Sequence, residues 1–443
     1  MAILSTLITT IPLLATAFAA PNQGHYGRLP KDLIAPHVQA LPYAPTNFRP
    51  AVPQRQHGHG KVCTVQSGSR DAGPHIIAAA RKCNHGGTVY FPPGDYLIAS
   101  AVDLTFLQDI DFAIWGNISF LQDAKYWETQ TFQYNYQGAK FFWRFGGTNV
   151  NIYGSGKGVI DGDGPYWWGA MANDSTTQRP ILFGTDGLHH ATISGLTMRN
   201  PPNWFNLIAN SSNILISDLS LQVDPQPKAT PAKNTDGWDT YRSSNVVIQN
   251  SVIVNTDDCV SFKPNSTSVI VQNLSCTGSH GISVGSLGQY IGEVDLVEDV
   301  YVYNVTMANA GNFARIKVWA GAEASADGLS GGGMGSVRNV TYDHLYSDSN
   351  DEVVTLTQCY YSVNQTMCDR YPANLEINDV TFKNIWGTTS KKYDPRVGSL
   401  VCSSPEVCHN IYASNIHLEP PSGNDATYTC VNLDDSDLDI NCV

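Results

Sequence analysis

Short runs in which apolar and polar side chains alternate recur along most of the chain: ATISGL, ILISDL, VVIQNS, VIVQNL, VYVYNV, VTYDHL, VTFKNI and IYASNI. A period of two predicts strands. Each run follows a polar residue, His190, Asn213, Asn245, Ser268, Asp299, Asn339, Asp379 and Asn410 in turn, so the steps are 23, 32, 23, 31, 40, 40 and 31 residues. Strands this short cannot bury a face alone, and stacking them creates the core. Leucine-rich repeats need Leu at fixed places, and helical repeats need a period of 3.6. Neither pattern is present. Propeller blades of roughly 40–50 residues match only the two longest steps. The pattern predicts an all-β fold, a right-handed parallel β-helix whose coil is a little over twenty residues, with longer steps carrying loops that project and build a cleft.

The flanks differ. Residues 1–20, with a short apolar run and the ending Ala17-Phe18-Ala19-Ala20, read as a secretory signal. Residues 21–60 are rich in Pro, His, Gln and Gly and read as a flexible segment. Order is expected from about Cys63. DAGPHIIAAARKCNHGG reads as a short helix with a Gly stop, and TVYFPPGDYLI as a strand broken by a turn. No linker divides the rest, so residues 61–443 form one domain.

Composition narrows the partners. Lys plus Arg number 26 against 39 Asp plus Glu, a net charge of −13. Nucleic acid is a poor partner for such a chain. An anionic substrate requires its few cations to gather in the cleft. No run of 18 apolar residues predicts a membrane span, and a monomer is expected. Ten cysteines in a secreted chain argue for disulfides. Cys359 with Cys368, Cys402 with Cys408, and Cys430 with Cys442 are close enough to close small loops, and Cys259 and Cys276 fall on adjacent coils. Eight glycosylation acceptors occur, at Asn117, Asn173, Asn210, Asn265, Asn273, Asn304, Asn339 and Asn364.

The candidate chemistry sits in NTDGWDTYRSSNVVIQNSVIVNTDDCVSFKP, residues 234–264. Asp236 to Asp258 is 22 residues, and Asp258 to His280 another 22. At that coil length the three stack on successive coils, with Asp257 beside Asp258. Arg315 and Lys317 are two apart and share a strand face. They form either a salt-bridged row or a clamp for a substrate carboxylate. Tyr360 can close the patch. Crowded carboxyls separate in proton affinity and so supply the acid and the base of glycoside hydrolysis. Calcium binding with elimination chemistry is the rival use of the same carboxylates.

Asn234-Thr235-Asp236, Asp257-Asp258, Ser279-His280-Gly281 and Arg315-Ile316-Lys317, in this order, resemble the polygalacturonase family of glycoside hydrolases. NTDGWDT, DDCVSFKPNST, SHGISVGSLG and ARIKVW are most similar to its fungal secreted exo-acting members. The resemblance implies a parallel β-helix and inverting hydrolysis of α-1,4-galacturonosidic bonds without cofactor or metal. It makes Asp257 the general acid. It makes Asp236 and Asp258 the groups that hold and activate water, and His280 the residue that tunes the acid. Arg315 and Lys317 bind the galacturonate carboxylate at the cleaved subsite, and Tyr360 contacts substrate. The expected partners are polygalacturonate and its oligomers. A hydrolase of xylogalacturonan or rhamnogalacturonan and a non-catalytic β-helical binding protein or adhesin are the alternatives.

Overall fold

The computed structural model describes residues 33–43 and 60–443. The signal-like start lies outside the described residues, as does most of 21–60. Twenty-three strands pair in parallel, coil upon coil, into a single sheet system wound as a right-handed parallel β-helix. Register is strict through the middle of the molecule. Val246, Val269, Val300, Val340, Val380 and Ile411 are successive partners and form one buried aliphatic column.

The residues that mark the repeat in the sequence are backbone corners. His190, Asn213, Asn245, Ser268, Asp299, Asn339, Asp379 and Asn410 all adopt left-handed φ values between 52° and 58°. Asn and Asp tolerate this region better than other side chains because they bond locally to the backbone. A second column follows five residues later: Asp218, Asn250, Asn273, Asn304, His344, Asn384 and Asn415 are also left-handed. Two corners bracket one short strand per coil and turn the chain into the next face. Their side chains ladder along the axis, as from Asn304 to Asn273 (3.2 Å) and from Asn273 to Asn250 (2.6 Å). Three of the acceptor sequons, at Asn273, Asn304 and Asn339, are therefore corner positions. Seven of the eight acceptors are exposed, and Asn265 is half-buried.

The expected helix spans Gly73–Cys83 and packs Ile76, Ala79 and Ala80 on the first coil, with Pro74 in its first turn. The Pro-Pro-Gly turn separates strands Thr88–Phe91 and Asp95–Ile98. Residues 33–43, inside the segment read from sequence as flexible, instead lie along the outer face of the coils. The Tyr153 hydroxyl donates to Leu33 O (2.7 Å), Gln249 bonds both Gln39 O and Leu41 N, and Tyr43 stacks on Tyr303. Five disulfides are present, Cys63–Cys83, Cys259–Cys276, Cys359–Cys368, Cys402–Cys408 and Cys430–Cys442, and no cysteine is free.

Candidate active site

The site forms on the outer face of one sheet of the coil. Its strands are Asn206–Ala209, Trp238–Tyr241, Val260–Phe262, Ile282–Leu287, Ala314–Trp319 and Val354–Tyr360. Trp238, Val260 and Ile282 are register partners and point inward. Two residues upstream of each stand Asp236, Asp258 and His280, so the 22-residue step does stack them. Asp236, Asp257 and Asp258 bring carboxylate oxygens within 4.8 Å of one another. That spacing is also one a divalent ion could use, but two of the three already face lysines.

The turn carrying the pair is held from beneath. The Asn255 side chain donates to Thr235 O, Asp257 O and Asp258 O, each at 2.9 Å. Thr235 and Thr256 bond across coils (2.9 Å), and Ser279 Oγ donates to Asp257 O (2.8 Å). Cys259–Cys276 lies directly behind. The two NTD triplets thus lie on adjacent coils, offset by one residue from the strand register, and Asn255 and Thr256 of the second fasten it to Thr235 of the first.

Each carboxylate has a different environment. Asp258 is buried and accepts from Lys317 Nζ (2.6 Å) and Ser283 Oγ (2.7 Å), with Arg315 at 3.9 Å. Burial works to raise it, yet Lys317, Arg315 and Lys263 outweigh burial and hold it well below the usual carboxylate range. Asp236 is buried with Lys263 Nζ at 3.3 Å. Burial first, then the charge of Asp257, pushes it up to about 7, with Lys263 opposing. Asp257 is more exposed, and its Oδ1 meets His280 Nδ1 at 3.2 Å. That hydrogen bond raises the His280 pKa against burial. Crowding thus gives one carboxylate fixed as an anion, one poised to exchange a proton, and one half-buried beside an imidazole.

The cations divide as well. Lys317 is buried and paired with Asp258, which is the salt-bridged contact of the two uses expected for it. Arg315 shows 17% of its side chain, and its Nε has no hydrogen-bond partner. Tyr360 lies beside both, its ring centre 5.8 Å from the guanidinium carbon and 5.9 Å from Lys317 Nζ. The structure therefore gathers Asp236, Asp257, Asp258, His280, Arg315, Lys317 and Tyr360 in one patch.

Sequence reading missed four contributors. Lys263 bridges Asp236 and Asp239. Ser283, the register partner of Arg315, bonds Asp258. Arg179 donates to Pro202 O, Lys233 O and Asn234 Oδ1 at 2.7–2.8 Å and so fixes Asn234, which reaches Asp257 Oδ2 at 3.5 Å. Counting coil steps finds Lys263, which stands two positions past Ser261 in the column of Lys317. Nothing local announces Arg179.

The fourth is a hairpin, strands Phe132–Gln133 and Lys140–Phe141. Tyr136 stacks on Tyr241, centroids 4.3 Å apart, and Phe141, Leu207, Ala209 and Trp204 pack with them. The hairpin roofs the strands Asn206–Ala209 and Trp238–Tyr241, the second of which follows Asp236. Its tip reaches the facing loop through Gln137 and Gln289 (3.3 Å). The loops expected to wall the cleft, after ARIKVW and around Cys359–Cys368, pack on one another at the other side, where Ala320, Ala324 and Cys368 share a core. Trp319 and Tyr361 stack at their edge.

A parallel β-helix presenting acidic groups in three electrostatic settings beside a guanidinium is a glycoside-hydrolase type of site. The family model for glycosyl hydrolases family 28 matches residues 103–439, and the chain belongs to that family. Exopolygalacturonase A of Aspergillus niger is 60% identical over 442 residues, 99% of each chain. Among solved structures, the endo-xylogalacturonan hydrolase of Aspergillus tubingensis is 35% identical, covering 86% of this chain and 99% of its own, with a TM-score of 0.77. The polygalacturonase of Erwinia carotovora ssp. carotovora shares the fold at 20% identity, 85% and 97% coverage and a TM-score of 0.64.

Proposed function

We propose that this protein removes galacturonic acid from the non-reducing end of polygalacturonate by inverting hydrolysis of α-1,4 bonds. The observation that carries the reading is the stacked set Asp236, Asp257, Asp258 and His280, roofed on one side by the Tyr136 hairpin and faced on the other by Arg315. Asp257, half-buried and joined to His280, protonates the leaving oxygen. Asp236 takes the proton of water, and Asp258, fixed as an anion by Lys317, orients that water. Arg315 receives a galacturonate carboxylate, with Tyr360 as the adjoining wall. A groove roofed beside Asp236 admits a chain end there and excludes chain interior. The exo-acting Aspergillus niger relative supports the same mode.

The enzyme acts outside the cell as a monomer. Five disulfides support an oxidising compartment, as does the signal-like start. Among the described residues no helix is long and apolar enough to cross a membrane. The deciding experiment is a time course on long polygalacturonate that follows viscosity and reducing ends together. Early monomer with slowly falling viscosity is expected. A ladder of oligomers with steep viscosity loss defeats the exo assignment, and no release of reducing ends defeats the hydrolytic one.

A further inference from the structure

Lys263 is a buried ammonium that the reaction as described leaves without a task. Its Nζ lies 3.3 Å from Asp236 Oδ2 and 3.7 Å from Asp239 Oδ2, with 6% of its side chain exposed. It cannot reach substrate without leaving both. Its backbone is fixed by a bond from its N–H to Thr240 O (2.9 Å) and by Ser266 Oγ on its carbonyl (2.8 Å). The ammonium also lies 5.1 Å from the Trp204 ring centre. Asp239 is wholly buried, and neither of its carboxylate oxygens has a hydrogen bond. The Tyr136 hydroxyl, brought by the roofing hairpin, is buried without a partner on the same side.

We propose that Lys263 is a positioning residue for hydrolysis: wedged between Asp236 and Asp239 beneath the cleft, it sets an ammonium against Asp236 and favours the ionised form in which Asp236 takes the proton of water. The inference rests on the hydrolytic reading above and assigns the control of its base. The groups facing Asp236 are Asp239, Asp257, Asp258, Lys263 and Lys317. Those facing Lys263 are Asp236, Asp239, Asp258 and Tyr136. Lys317 belongs to Asp258 at 2.6 Å, which leaves Lys263 as the cation in contact with Asp236. Burial and the neighbouring Asp257 drive Asp236 towards its neutral form, and only an opposing charge at short range offsets them. Burial likewise pushes Asp239 far above the usual carboxylate range. Lys263 thus stands between two buried carboxyls, and Asp236 is the one within hydrogen-bond distance.

The test is the pH profile of kcat/KM for Lys263→Met and Lys263→Arg on the wild-type substrate. A base that must be ionised appears as the acid limb. Loss of a cation within hydrogen-bond range moves that limb upward by about one pH unit or more in Lys263→Met, and Lys263→Arg returns it towards the wild-type position. A limb that stays in place while only the amplitude falls means a structural role and overturns the proposal. Should Lys263→Met fail to fold, Lys263→Gln keeps length and hydrogen bonding without charge, and the same upward shift is required of it. Wild-type protein that hydrolyses no polygalacturonate defeats the functional reading instead. The part of Lys263 is then decided without substrate, by carboxyl ¹³C NMR of aspartate-labelled protein with Asp236→Asn to assign the resonance. An Asp236 titration unchanged by Lys263→Gln overturns the proposal there as well.

Discussion

Lys317 Nζ lies 2.6 Å from Asp258 Oδ2, and both side chains are buried. The pair joins the turn before Val260–Phe262 to the strand Ala314–Trp319, two coils on, across the floor of the cleft. Removing one member of a buried pair strands the other charge, which costs about 3–5 kcal/mol. Lys317→Ala should therefore lower both kcat and the melting temperature. Lys317→Met with Asp258→Asn should be clearly more stable than Lys317→Met alone, although inactive. Urea unfolding of the three variants measures this, and equal stability of single and double variants would show that the pair carries no charge penalty.

Asp257→Asn should lower kcat about 10²–10⁴-fold while the fold is retained, because a proton donor is lost at nearly constant volume. Kinetics with circular dichroism checks it. A variant retaining more than a tenth of wild-type kcat would sink the assignment of Asp257 as the acid.

Arg315 has an Nε without a hydrogen-bond partner, and Lys317 is the closer partner of Asp258. Arg315→Met should raise KM for galacturonides at least about tenfold, the scale of a charge-assisted hydrogen bond, with a smaller fall in melting temperature than Lys317→Ala. A large stability loss with unchanged KM would return Arg315 to a purely structural role.

Asp236 keeps its proton up to about 7, whereas in the unfolded chain it ionises near 3.8. Between those values the folded chain binds more protons than the unfolded one, so stability falls as pH rises. Asp161 and Asp295 are displaced upward by burial in the same sense. Asp258 acts oppositely, but its contribution is lost only on acidification below the ordinary carboxylate range. Denaturant midpoints should decline from about pH 4.5 to 7.5, and Asp236→Asn should flatten much of that slope. A wild-type slope of the other sign would show that Asp236 is ionised throughout.

The repeat was legible from sequence because each coil needs a backbone corner that few residues tolerate. Asn213, Asn245, Asn339 and Asn410 are such corners, and their spacing carries the coil length directly. Once that length is known, Asp236, Asp258 and His280 align by counting, since parallel strands in register preserve sequence steps as spatial columns. Arg315 and Lys317 fall on one face by the period of two alone.

Tertiary structure decided what those columns meet. Lys317 could be read as a substrate clamp or an ion-pair partner, and only the folded chain shows that Asp258 lies against it across one intervening coil. The hairpin at Phe132–Phe141 is some hundred residues from Asp236 in the chain, with no repeat to place it. Its seat on Leu207, Ala209 and Tyr241 follows from apolar packing between distant segments, which has no period. The same holds for residues 33–43, whose composition reads as disorder but whose few apolar side chains find Leu215, Val247 and Ile270 on the outer coils. A sequence states what recurs along its own length. Burial, charge pairing and the closing of a cleft depend on which unrelated segments come together, and only the folded chain settles that.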